Sequence, residues 1–290
     1  MSENIEKENP DQDKVQPIAL AATPRPSDKK PTKEAQLVEK EDMGEFFKTA
    51  LIAIALALII RSLFYEPFNI PSSSMKPTLL VGDYLFVSKP AYGYSKYSFP
   101  LSNFVPIDGR VLFNEPERGD VIVFKLPSNP SIDYIKRIVA LPGERVRVQN
   151  GRLFINGEMV DREPVGLKQV DKDYGRDVQM MEYIETLPGG VMHRIYEETD
   201  NGELDNTAEY IVPPKHYFVM GDNRDNSQDS RVSGLVGTIP YENIVGRASM
   251  LFFSVDDTAD LYNPLTWPGS IRYGRIFDTL SPIRPEDPQQ

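Results

Sequence analysis

The chain has 290 residues, 40% apolar and 26% charged, the proportions of an ordinary folded protein. Its net charge is −11, and Lys and Arg are concentrated nowhere outside the N-terminal tail, so no nucleic-acid partner is expected. It contains no cysteine, which excludes disulfides, thiol catalysis and cysteine-ligated metal sites together. Its two histidines, His193 and His216, sit in no recognisable local pattern.

Residues 1–42 are charged and broken by Pro10, Pro17, Pro24, Pro26 and Pro31. They bury too little apolar surface to offset the entropy of ordering, and a disordered tail is expected. Residues 43–65 follow as the one long apolar run. The uncharged stretch from Thr49 to Ile60 is extended by Phe46 and Phe47 on one side and by Leu63, Phe64 and Tyr65 on the other. From Gly44 to Tyr65, at about 1.5 Å per residue, the helix would measure roughly 33 Å, enough to cross a bilayer core. It is apolar all round, which argues against a helix lying on a surface. Lys29, Lys30, Lys33, Lys40 and Lys48 precede it, against Arg61 and Lys76 after it. That bias predicts a single-pass anchor with a cytoplasmic N-terminus and everything beyond about residue 66 outside.

Beyond the anchor the pattern is β. Tyr84–Ser88, Asp120–Leu126, Ile132–Val139 and Ala248–Val255 are short runs of β-branched and aromatic residues bounded by Gly, Pro or Asn. Arg145–Gln149 and Arg152–Asn156 flank Asn150-Gly151, a strong hairpin signal, because Asn-Gly supplies the positive φ angles of a two-residue turn. Helix and strand do not alternate, which disfavours a parallel α/β sheet. The expected fold class is mainly β. It comprises an antiparallel β domain over 66–144 and 211–275, a smaller inserted β subdomain over 145–210 and a C-terminal tail over 276–290. Residues 157 to about 210 are polar and weakly patterned.

Three segments carry chemistry. The first is Ile70 to Leu79, with Ser72, Ser73 and Ser74 held between Pro71 and Pro77, whose fixed φ stiffens both ends. On its own it also reads as a tight polar turn. The second is Lys136. By the period-two rule Ile132, Tyr134, Lys136 and Ile138 share one strand face, so a single lysine stands in a mostly apolar row. A serine is a poor nucleophile without a base, and lysine serves as one only where burial lowers its pKa from about 10.4. Taken alone, Lys136 reads more readily as an edge-strand lysine that blocks aggregation, or as one that snorkels, than as a base. The third is the run Gly221 to Arg231. It could be an Asx-rich turn. A calcium loop is disfavoured, since Arg224 would fall at a ligand position and no glycine occupies the sixth.

In order and spacing, these segments resemble the signature boxes of bacterial type I signal peptidases, the serine/lysine dyad family. Pro71 to Leu79 is similar to the serine box, Asp133 to Arg137 with Leu141-Pro142-Gly143-Glu144 to the lysine box, Arg118 to Phe124 to a structural strand box, and Gly221 to Arg231 to the final box. The resemblance implies Ser74 as nucleophile and Lys136 as general base. It implies an oxyanion hole from the Ser72 hydroxyl and the Ser74 N–H, with Ser227 orienting the lysine amine. Asp229 and Arg231 would form a supporting ion pair, and Asp222 and Arg224 would be structural. It further implies shallow pockets from Phe68, Ile70, Met75, Leu79, Tyr134 and Ile135, each of which also has an ordinary core reading. No metal or cofactor is implied. The implied substrates are exported preproteins, cleaved at their signal peptides after small residues of Ala-X-Ala type. Membrane lipid and the translocation machinery are the other implied partners, and the bacterial inner membrane the location. The chain departs from the family pattern in its tail length, its single span, Ser73 and the segment 166–210. Two alternatives stand beside this reading. Self-cleaving SOS-repressor proteases also use serine and lysine, but they need a DNA-binding helix-turn-helix that is not found. A membrane-tethered β scaffold would not require Ser74, Lys136 and Ser227 together.

Overall fold

The computed structural model describes residues 33–100, 102–172, 176–259, 263 and 266–284. Helix α1 runs over Lys33–Leu63. The expected disorder of residues 1–32 lies outside the described residues, but from Lys33 the backbone is already helical. The reason lies in composition: from Lys33 the segment is mainly Lys, Glu, Ala, Gln and Leu, all good helix formers, with Val38 and Asp42 the exceptions before Met43. Met43–Leu63, 21 residues, is long and apolar enough to cross a membrane, and its side chains are exposed. The helix stops short of the expected Tyr65, which instead opens a strand.

Sixteen strands follow among the described residues. They are β1 (Tyr65–Asn69), β2 (Asp83–Ser88), β3 (Tyr94–Ser95), β4 (Arg110–Val111), β5 (Val121–Leu126), β6 (Asn129–Ala140), β7 (Arg145–Gln149), β8 (Arg152–Ile155), β9 (Glu158–Met159) and β10 (Asp161–Lys172). Then come β11 (Arg176–Leu187), β12 (Val191–Glu197), β13 (Tyr210–Ile211), β14 (His216–Met220), β15 (Ile239–Pro240) and β16 (Ile244–Ser254). The main sheet has seven strands in the order β1-β2-β16-β5-β6-β14-β15. A four-stranded sheet, β13-β7-β8-β9, a three-stranded sheet, β10-β11-β12, and the pair β3-β4 complete the β structure. Every ladder between these strands is antiparallel. The mainly β, antiparallel class expected from sequence is the class observed. At the Asn-Gly hairpin the two φ angles are +49° and +68°, as the turn between β7 and β8 requires.

The weakly patterned segment proves to be strongly structured. β10 and β11 pair from Asp161↔Thr186 to Lys172↔Arg176, with a register shift at Pro164/Gly166. This segment also shares a core with the main sheet. Val139, Ala140, Phe218 and Met220, from β6 and β14, are buried in one cluster with Val146, Leu153, Leu187 and Val191. The tail expected from residue 276 is tied down as far as Ile283. Phe277 N–H donates to the Leu251 carbonyl, Leu280 N–H to Ser249, and Met192 N–H to Ile283. Leu280 is buried among Ile70, Met75, Leu79 and Leu85, the cluster beneath the serine loop.

Candidate active site

The serine loop is built from its apolar residues inward. Ile70, Met75 and Leu79 are 3%, 0% and 0% exposed and anchor the loop in the core, so Ser73 and Ser74 between them are drawn under the surface while Ser72 stays exposed. Burial of Met75 and Leu79 corrects one expectation. Both are core residues below the cleft floor and do not line it. Phe68, Ile70, Tyr134 and Ile135 do line it, together with Ser72, Ser74, Lys136 and Ser227. The cleft is open and measures about 1090 Å³.

Strand β6 brings Lys136 to the loop. Its ammonium nitrogen lies 2.6 Å from Ser74 Oγ and donates to the Ile135 carbonyl at 2.8 Å. Lys136 is 3% exposed. Burial strips its amine of hydration and lowers its pKa to about 8, and the carboxylates of Asp229 and Asp222 keep it from falling further. The amine also lies 5.5 Å from the centre of the Tyr134 ring. Ser72 Oγ is 3.4 Å from Ser74 Oγ. The bond expected from Ser227 to the lysine amine is not made. Ser227 Oγ is buried without a hydrogen-bond partner of good geometry, although the hydroxyl is close enough to Asp229 to help hold that carboxyl down. Its neighbour Gly221 is the reason it can sit there at all. A Cβ at 221 would stand 2.2 Å from Ser227 Oγ and 2.5 Å from the Ser74 carbonyl.

The polar loop between β14 and β15 holds the serine loop from behind. Asn223 N–H donates to the Ser74 carbonyl at 3.1 Å, Asn223 Nδ2 to the Ser73 carbonyl at 3.2 Å, and Asn226 Nδ2 to Ser73 Oγ at 2.5 Å. Asp222 accepts from Thr78 Oγ1 at 2.5 Å and from Arg137 at 2.8 and 2.7 Å. Consecutive residues of β6 thus reach the two loops: Lys136 meets Ser74, and Arg137 meets Asp222 and Thr78. Burial opposes the Asp222 charge, but the Arg137 guanidinium outweighs it and the carboxyl is held below its usual range. The Asp229–Arg231 ion pair is present and doubled, 2.9 Å at each contact, with Gly221 N–H on the same carboxylate.

Sequence reasoning set His193 aside and missed Glu185, Asn223, Asn226 and Thr78. The asparagines stood in the polar run, whose density of side-chain acceptors and donors was the available signal. Glu185, in the weakly patterned segment, had none. His193 is buried beside Glu185 and Asp222, at 3.4 and 4.0 Å from Nε2. Burial and the Arg137 charge push its pKa down to about 4, which leaves it neutral at pH 7. Among the described residues no group of three His, Asp or Glu could hold a metal ion.

A buried amine against a serine, on an antiparallel β frame that follows an apolar helix, is an arrangement suited to acyl transfer. The family model described as "Signal peptidase, peptidase S26" matches residues 43–253. The chain belongs to this family of proteases, which removes signal peptides from preproteins. It is similar to the signal peptidase I of Rickettsia typhi, 37% identical over 266 residues covering 86% of this chain and 96% of the relative. The signal peptidase I of Rickettsia conorii is 37% identical over 257 residues, covering 83% and 93%. A crystal structure of a signal peptidase I from Enterococcus faecalis V583 matches 47% of this chain and 98% of its own, with 27% identity and a TM-score of 0.28.

Proposed function

We propose that the protein is a single-pass membrane serine endopeptidase in which Ser74 is the nucleophile and Lys136 the general base, and that it releases exported proteins by cutting after small residues. The observation that carries this reading is the 2.6 Å contact between Ser74 Oγ and a lysine amine whose pKa is lowered to about 8. At pH 7 about a tenth of such an amine is neutral and able to accept a proton, against well under a thousandth for an ordinary lysine.

The steps follow from that pair. Neutral Lys136 takes the Ser74 hydroxyl proton as Oγ bonds to the scissile carbonyl carbon. The Ser74 N–H and the Ser72 hydroxyl bind the resulting oxyanion, a contribution typically worth about 10²–10³ in rate per donor. Lys136 then protonates the leaving amine, and the mature protein departs. The signal peptide remains as an ester on Ser74. Lys136 takes a proton from water, the hydroxide attacks the ester, and Ser74 recovers its proton. Backbone recognition fits the sheet. β1 is an edge of the main sheet, and β6 pairs with β14 only from Arg137 onward, which leaves Asp133–Ile135 open on that side. An extended substrate can add to such edges with little regard for sequence. Phe68, Ile70 and Ile135 narrow the floor, which favours small side chains beside the scissile bond. The lysine bias across α1 supports a cytoplasmic N-terminus and a catalytic domain outside the inner membrane, where preproteins leave the translocation machinery.

The test is preprotein processing by the purified protein beside Ser74→Ala and Lys136→Ala. Loss of cleavage by a factor of 10³ or more is expected for each. Equal processing by all three would end the dyad reading.

A further inference from the structure

The buried ion pair Glu185–Arg224 takes no part in the proposed chemistry, yet it joins the inserted segment to the polar loop behind Ser74. Glu185 on β11 is 2% exposed. Its two oxygens take both terminal nitrogens of Arg224, one at 2.8 Å and the other closer still. Arg224 is 3% exposed, its Nε has no partner, and it opens the single turn Arg224–Asn226. That turn holds the serine loop, through Asn223 to the Ser73 and Ser74 carbonyls and through Asn226 to the Ser73 hydroxyl. The backbone repeats the connection. Tyr196 N–H donates to the Asp222 carbonyl at 2.8 Å, and Glu198 and Thr199 N–H donate to Asp225 Oδ2 at 2.7 and 3.0 Å.

We propose that Glu185 is a positioning residue for the nucleophile: through Arg224 it fixes the Asn223–Asn226 turn against the serine loop and so sets the Ser74–Lys136 distance. This rests on the dyad reading. Glu185 is the carboxylate that takes both terminal nitrogens of Arg224. With it neutral only the longer-range attraction of Glu197 and Asp222 is left, and a buried guanidinium stripped of its paired carboxylate is driven toward water. The turn would move with it, and a displacement of about 1 Å at a reacting pair costs on the order of 10²-fold in rate. The β1 and β6 edges of the cleft would be unaffected.

The experiment uses the full chain in lipid vesicles with a fluorogenic peptide bearing an Ala-X-Ala site. Glu185→Gln is expected to lower kcat by about 10- to 100-fold with KM within about threefold. In an Asn226→Ala background the same substitution should cost several-fold less than in the wild type, because one of the links from the turn to the serine loop is already cut. Thermal melts establish the folded fraction. A folded Glu185→Gln protein with kcat within twofold of wild type overturns the proposal and leaves the pair a purely structural one. So do losses that multiply in the Asn226→Ala background. If Glu185→Gln does not fold, Glu185→Asp is judged by the same two criteria. Ser74→Ala is run in parallel. Its full activity would bring down the dyad itself, whereas an inactive Ser74→Ala beside a wild-type Glu185→Gln brings down only the positioning role.

Discussion

Lys136 concentrates the proposed chemistry in one displaced equilibrium. Its amine stays buried because the serine loop and β6 close over it, and desolvation lowers its pKa to about 8. Two outcomes follow from the sign of that displacement. The proposed mechanism needs the neutral amine, so kcat/KM for a peptide substrate should climb tenfold per pH unit below about 8 and level off above it. A profile flat from pH 6 to 9 would contradict the assignment. Stability moves the other way. In the unfolded chain the lysine titrates near 10.4, so keeping it charged in the folded state below pH 8 costs about 3 kcal/mol. That cost is fully present below the folded value and fades as pH rises from about 8 to about 10.4. Lys136→Met forfeits bonds worth about 1 kcal/mol, so it should be the more stable protein at pH 7, by about 2 kcal/mol, and lose that advantage by pH 10.5. Melting curves at the two pH values measure the difference. A destabilised Lys136→Met at pH 7 would mean that the amine is better solvated than its surroundings indicate.

Among the elements, the legible ones were those whose local chemistry and tertiary role agree. Asn150-Gly151 demanded positive φ and received it. The runs at Tyr84, Asp120, Ile132 and Ala248 became β2, β5, β6 and β16 because each buries at least one face. The serine, lysine and polar segments could be aligned by resemblance, and the fold brings them to one cleft. What could not be read was decided by tertiary context. β10 and β11 carry polar residues on both faces for much of their length, so alternation was weak. Their order comes from pairing with each other and with β12, and among their apolar residues only Val170, Met180 and Leu187 are buried, beside the equally buried Glu182 and Glu185. Met75 and Leu79 fit a pocket wall and a core equally well by type, and only the packing of Leu85 and Leu280 against them decides for the core. The end of α1 was misjudged for a related reason. Tyr65 is apolar enough to continue the helix, but the terminal carbonyls of Arg61, Leu63 and Phe64 find other donors. These are the Lys89 amine at 2.8 Å, the Tyr94 hydroxyl at 2.6 Å and the Lys89 N–H at 3.0 Å. A helix end supplied with three donors can stop there, and the chain turns into β1.

For the whole molecule, the consequence lies in the chain between anchor and nucleophile. Ser74 is eleven residues beyond Leu63, so the proposed nucleophile lies within about 40 Å of the helix end along even a fully extended chain. A substrate held in the same bilayer by its own apolar segment meets that serine on a surface and not in a volume. Their mutual concentration is then set by lipid area, and an encounter of this kind behaves as an intramolecular one. A soluble peptide with the same cleavage site has no such advantage. The two cases separate on dilution. When vesicles carrying the protein and a co-reconstituted preprotein are diluted tenfold in buffer, the processing half-time should not change. The first-order rate constant for the soluble peptide, measured below KM in the same vesicles, should fall tenfold. If preprotein processing also slows tenfold, the substrate reaches the cleft from water, and the anchor contributes attachment without concentration.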